Sequence, residues 1–238
     1  MSQLDLALAS EVSSRHVSFL ESGRAQPSRD MVLQLGAALL LPLQARNALL
    51  QAAGFTSVFP ATPLSADALG PFRAILNDMI ARHAPYPAML VDRHWTVLEA
   101  NDSARQLLDA LSDGGHENNI VRMMTGSPQA AAVVGNYAEV IAELKSRMQM
   151  EALEAGDDPV FAELLGALEK ASSADFPPAS ASATRRPLLP LVIKAPGGDL
   201  KFLSCIAHFG TSEDVTVHDL RLELLFPADD QTRAALAK

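Results

Sequence analysis

The run "TSVFPATPLSADALGP", residues 56–71, does most to limit how this chain folds, because it sets Pro60, Pro63 and Pro71 close together. Proline lacks a backbone N–H and pushes the residue before it away from helical conformation, so no helix or central strand continues through such a run. The chain therefore folds in two parts, expected at residues 1–58 and 65–238. A length of 238 residues is enough for a real core in each.

Residues 1–55 read as four consecutive helices with short joints. Ser28, after Pro27, is placed to cap "RDMVLQLGAALL", and "LPLQARNALLQAAG" starts near Pro42 and stops at Gly54. The first two helices have the spacing of a helix-turn-helix. Ala7 is the small residue where the helices cross, Val12 the apolar plug in the turn, and Val17 with Leu20 the inner face of the second helix. Ser13 is set to cap that helix, which leaves Ser14, Arg15, Ser18 and Phe19 on faces that can meet a major groove. The plain alternative is a packed helix pair with no nucleic acid. The trailing Gly-Arg-x-x-Pro-Ser and two further helices weigh against it.

This stretch resembles the lambda-repressor-like DNA-binding domains of the XRE family of bacterial regulators. The likeness is carried by Gln3, Ala7, Val12, Val17, Leu20, Glu21, Gly23, Pro27 and Ser28. It implies that Gln3 and Ser13 position on phosphates of double-stranded operator DNA, that Ser14, Arg15 and Phe19 face bases, and that Arg24 and Arg29 are further phosphate contacts. Two departures stand out. The tight turn of such motifs often carries glycine, and Glu11 stands there, holding roughly 1–3 kcal/mol of strain if it takes a positive φ. Family members also place a helix before the glutamine, whereas only Met1 and Ser2 precede Gln3. Without that wall Leu4, Leu8 and Leu20 lose packing, at about 1.5–3 kcal/mol for each fully exposed side chain. Three readings stay open: a trimmed or mis-called start, which is favoured, a cover supplied by a neighbouring subunit, or lost DNA binding.

After the prolines the pattern is mixed. In "FRAILNDMIARH" the residues Phe72, Ile75, Leu76, Met79 and Ile80 form one wide apolar stripe, which predicts a core-facing helix. Next, "PAMLVDRHWTVLEAN" gives two short apolar runs around Asp92-Arg93-His94, a hairpin pattern, before Asn101 or Asp102 caps "SARQLLDAL". Two more helices are lined by Tyr137, Val140, Ile141, Leu144 and Met148, and by Val160, Phe161, Leu164, Leu165 and Leu168. Beyond the Pro/Ala/Ser-rich "FPPASASATRRP" come three strand-like runs, "LLPLVIKA", "LKFLSCIAHFG" and "VTVHDLRLELLF", the first two joined by Gly197-Gly198. The second part is therefore α+β, with five strands in two groups around a helical insertion. No internal repeat is visible.

"PYPAMLVDRHWTVLEAN" followed by "FGTSEDVTVHDLRLELLFPADDQT" is similar to the MmyB-like ligand-binding domain, a PAS-like module that follows this kind of DNA-binding head. Its marks are Tyr-Pro-Ala at the strand start, a Trp after the first turn, an Asn before the helix, and the Phe-Gly-Thr and Phe-Pro-Ala-Asp segments. The resemblance implies a five-stranded antiparallel sheet with covering helices and a cavity for a small apolar ligand, fatty-acyl in nature, whose binding alters the geometry of a homodimer. Candidate lining residues are Met89, Val91, Trp95, Met123, Phe202, Cys205, Ile206 and Phe209, each of which plain core packing would also explain.

Composition narrows the remaining classes. The net charge of −9 excludes a body that coats nucleic acid over its whole surface. Residues 1–59 carry four Arg and no Lys against two Asp and two Glu, so all of that charge lies in the remainder. The lone Cys205 forms no internal disulfide and, in an apolar strand run, reads as a buried inert thiol. His16, His83, His94, His116, His208 and His218 lack the spacing of a zinc site, and no phosphate loop or nucleophile elbow occurs. Arg185-Arg186 reads as a solvated loop tip. The expectation is thus a non-enzyme without metal or cofactor. "MVLQLGAALLLPLQA", broken by Gln34, Pro42 and Gln44, is too short and interrupted to span a membrane, and no leader pattern opens the chain, so the expected place is the cytoplasm. A truncated ligand-binding or dimerisation module that no longer binds DNA is the alternative to a DNA-binding regulator.

Overall fold

The computed structural model describes residues 1–113, 118–156, 158–173, 188–209 and 212–237. "FPPASASATRRP" with Arg185 and Arg186, and also His116, lie outside the described residues. The chain divides into two compact units, with one cut in the proline run between Pro63 and Leu64; two later stretches, around residues 153–156 and 212–218, group with the first unit, so the last turn of the long helix that ends at Ala155 belongs there.

In the first unit, α1 (Gln3–Ala9), α2 (Ser14–Glu21), α3 (Arg29–Ala38) and α4 (Leu43–Ala52) follow one another. Each of the first three starts on a serine whose hydroxyl accepts a hydrogen bond from an otherwise orphaned backbone N–H: Ser2 from Asp5, Ser13 from His16 and Ser28 from Met31. Between α1 and α2 the Val12 N–H donates to the Ala7 carbonyl at 2.9 Å, and Glu11 takes φ 54°. Ala7 and Val17 are buried at 3% and 2% exposure, whereas Leu4 and Leu8 on the outer side of α1 are exposed at 59% and 72%. After α4 the chain is pinned rather than free. Asn47 Oδ1 accepts from the N–H groups of Val58 and Phe59, and its amide donates to the Phe59 carbonyl at 2.8 Å.

The second unit begins with α5 (Gly70–Arg82), then β1 (Ala88–Val91), β2 (Val97–Ala100), α6 (Asp102–Leu111), α7 (Ile120–Gly126), α8 (Pro128–Val133), α9 (Tyr137–Ala155) and α10 (Pro159–Ser173). Strands β3 (Leu191–Ile193) and β4 (Leu200–His208) form a hairpin turned at Gly197-Gly198, and β5 (Arg221–Pro227) and a last helix (Asp230–Leu236) close the chain. The architecture is α+β, as the sequence implied. Its five strands make one antiparallel sheet in the order β2-β1-β5-β4-β3, so β5, nearly last in the chain, lies at the centre.

Alternation along the strands sorts side chains to two faces. Ala88, Leu90, Leu222 and Leu224 look toward α5 and join Leu76 and Ile80 in one core cluster. Their neighbours Met89, Val91, Glu223 and Leu225 look the other way, toward α9.

Three sequence readings need correction. "VTVHDLRLELLF" is not one strand: Val215–His218 is a short helix belonging to the first unit, and β5 starts only at Arg221. Asp214 is the reason, since its carboxylate accepts the N–H groups of Thr216 and Thr62 and so turns the chain there. The apolar stripe of α5 is also only half used. Leu76 and Ile80 are buried at 1% and 5%, while Ile75 and Met79, on the flank, are 59% and 39% exposed. Third, α7 and α8 were not expected, because helices of 7 and 6 residues are too short to show a period.

Candidate functional site

The first candidate surface lies on α2. Ser13, Ser14 and Arg15 are exposed there, Ser18 and Phe19 are half-buried, and Gln3, Arg24 and Arg29 are exposed around them. The Arg15 guanidinium stacks over the Phe19 ring at 5.2 Å, one helical turn away. The Gln3 amide donates to the Glu21 carboxylate, tying the start of α1 to the end of α2. Gly23, at φ 69°, lets the chain leave α2 toward Pro27.

The second candidate site is built on the turn between β1 and β2. Asp92 Oδ1 accepts the N–H groups of His94 and Thr96, both at 2.9 Å, which curls the turn and leaves Trp95 at φ 66°. A positive φ on a large aromatic residue is strained, by roughly 1–3 kcal/mol, and persists only where packing dictates it. Here packing does. The Trp95 ring is 2% exposed, with the guanidinium carbons of Arg147 and Arg221 at 5.3 and 6.0 Å from its centre, and its Nε1 donates to Glu151 at 3.0 Å. Arg221 also reaches Glu151 at 3.3 Å and donates to the Arg93 carbonyl.

The rest of the turn is equally anchored. Arg93 pairs with Asp158 at 3.4 Å and Asp219 at 3.7 Å, and His94 Nε2 lies 2.9 Å from Asp158 Oδ2. Burial alone would raise the Asp158 carboxyl. Hydrogen bonds from His94 and the Val160 N–H, with the charges of His94 and Arg93, outweigh it and hold the group below the usual carboxylate range.

Beside Trp95 the sheet and α9 leave a cavity of about 310 Å³. Val140, Glu143, Leu144 and Arg147 reach it from α9 at i, i+3, i+4 and i+7, the spacing of one helix face, and Leu191, Ser204, Glu223 and Leu225 form part of its floor. The floor's centre is Glu223, in the middle of the central strand. Its Oε1 accepts the Ser204 hydroxyl at 2.8 Å. Burial pushes the carboxyl up from its ordinary value, against the opposing pull of Ser204 and of the Arg147 charge.

Of the lining residues expected from sequence, Trp95 reaches this cavity. Met89, Val91, Phe202 and Ile206 share its face of the sheet without lining it, and Met123 lines a separate hollow with Arg105 and Leu108 beside β2. Phe209 lies toward α5, edge-to-face with Phe72 at 5.1 Å. Cys205 is corrected outright: it is exposed, because its β4 position falls on the face turned from the cavity and α5 does not cover it. Sequence reasoning missed Glu143, Arg147 and Glu223. The signal for the first two was their i, i+4 spacing on the helix with Val140 and Leu144; Glu223 shows only as a polar break in "RLELLF".

A five-stranded antiparallel sheet with helices and a partly open hollow makes the second unit an α+β module of PAS-like architecture. Residues 72–238 match the MmyB-like transcription regulator ligand binding domain, and the chain belongs to that family. It is accordingly a regulator with a ligand-binding domain, and this points to a non-enzyme. A comparison with curated proteins finds no match for the chain. Among the described residues no helix is long and apolar enough to cross a membrane, and no group of three or more His, Cys, Asp or Glu is placed to hold a metal ion.

Proposed function

We propose that the chain is a ligand-responsive bacterial transcription regulator of the cytoplasm, in which residues 1–58 read operator DNA as a homodimer and residues 65–238 sense a small apolar, fatty-acyl ligand. The observation that carries the DNA reading is the outward edge of α2: a capped helix whose Ser13, Ser14 and Arg15 stand exposed beside Arg24 and Arg29. Serine hydroxyls and arginine guanidinium groups are the donors that phosphate oxygens and guanine edges accept. The first unit has no excess positive charge, so affinity rests on these few contacts and is steeply salt-dependent. A gel shift of the full chain on DNA from its own upstream region, repeated across salt concentrations, tests the reading. A complex that weakens with salt and is lost in Arg15→Ala supports it; no complex at low salt refutes it.

The exposure of Leu4 and Leu8 favours one other reading, a module that pairs with further protein through α1 and does not bind DNA itself. Stabilisation by acyl ligands without any DNA complex would select it.

A further inference from the structure

Helix α5 is held over the sheet at both ends and left bare along one flank. Phe72 meets Phe209 edge-to-face at 5.1 Å, His83 meets Phe226 at 4.8 Å, and between them Leu76 and Ile80 are buried in the cluster that includes Leu222 and Leu224. Asn77, Ala81 and Ala84 line a hollow beside the end of β2, so the opposite flank, more than half a turn round the helix, is the one turned toward β4. That flank carries the exposed Ile75 and Met79. The sheet beside it is open as well. Cys205, in register with Leu224 and so on the same face, is exposed, and so is Phe226, two residues beyond Leu224. Helix flank and sheet face thus form the two walls of one trough, apolar and open to solvent.

Charge indicates what fits it. The chain beyond residue 59 carries the whole net charge of −9, so two copies repel over most of this part. Next to Ile75 and Met79, however, stand Asp78 and Arg82, 2.6 Å apart, whose charges cancel. A partner of strong charge, of either sign, meets no net charge here to pair with. A second copy meets its own complement. An apolar stripe with an acid and a base on its rim matches itself about a twofold axis: the stripes meet, and Asp78 of each copy can face the partner's Arg82. Building on the homodimer proposed above, we propose that two copies of the chain join through this face, the α5 flank of each lying in the other's trough and covering its Cys205 and Phe226.

Cys205 is the chain's one cysteine, so a thiol reagent reads this surface alone. Sedimentation of the full chain over a range of concentrations should show a monomer–dimer equilibrium, and the rate at which Cys205 reacts with dithionitrobenzoate should fall as the dimer forms. Met79→Asp should weaken the dimer about tenfold or more and keep Cys205 reactive at every concentration. Its Trp95 fluorescence should match that of the unmutated chain, because Met79 lies outside the buried core. Asp78→Arg and Arg82→Asp should each weaken self-association, and a mixture of the two should pair again, since two bases on one copy then face two acids on the other. Both side chains are exposed, so neither change threatens the fold. A dimer that survives Met79→Asp, a mixture that does not pair again, or a dimer in which Cys205 stays equally reactive overturns the proposal and leaves the homodimer reading standing. A chain that remains monomeric at every concentration refutes both.

Discussion

Replacing Asn101 by alanine should cost the second unit about 4 kcal/mol, an unusually large loss for one polar side chain. Asn101 is 8% exposed and uses its whole amide. Its Oδ1 accepts the N–H groups of Ala104, which caps α6, and of Ala88, which opens β1; its Nδ2 donates to the carbonyls of Ile80 and Tyr86 at the end of α5 and just beyond it. Losing the cap alone costs about 1 kcal/mol. The other three backbone groups then lie in a closed interior, and each left unpaired adds about 1–3 kcal/mol, reduced where water enters the space vacated. Trp95 is buried in the same unit, so urea unfolding followed by its fluorescence isolates this transition. Asn101→Asp gives an internal control. The carboxylate keeps both acceptor bonds, the α6 cap among them, and loses only the two donated bonds, so that variant should lose less stability than Asn101→Ala. A loss below about 1 kcal/mol for Asn101→Ala would refute the claim that this side chain holds α5, β1 and α6 together.

Three other outcomes follow from the geometry. Glu11→Gly should raise stability by about 1 kcal/mol because glycine takes φ 54° without strain, whereas Glu11→Ala should bring no gain; thermal melts of both variants check this. The Asp158 carboxyl is held low in the folded state, so its contribution is fully present above the unfolded value near 3.8 and is lost as pH falls through the lower folded value. Asp158→Asn should accordingly be less stable than wild type at neutral pH, with the gap closing toward acid, as paired melts across that range would record. Arg15→Ala should weaken operator binding about tenfold or more and relax the preference for one base position, readable by competition with mutated operators.

Much of this protein is written locally. Ser13 and Ser28 were recognisable as caps, and Asn101 as one of two candidates with Asp102, because a cap bonds two or three residues ahead, and the Gly197-Gly198 turn could be read from its flanking runs. A positive φ at Glu11 was implied by the resemblance, since the turn of such motifs often carries glycine. The α+β class belongs to the same group, since periodicity and backbone restriction act between near neighbours. What only the tertiary structure decided is which face of each element meets which. In β5 the residues Leu222, Glu223 and Leu224 alternate in a way that equally fits a solvated face, and it is the pairing of β5 with β1 and β4, from opposite ends of the second unit's sequence, that sets Glu223 under α9. Cys205 and the Ile75–Met79 flank came out exposed for the same reason. A side chain's burial depends on elements far away in sequence, and local pattern states that a face is apolar without stating what covers it.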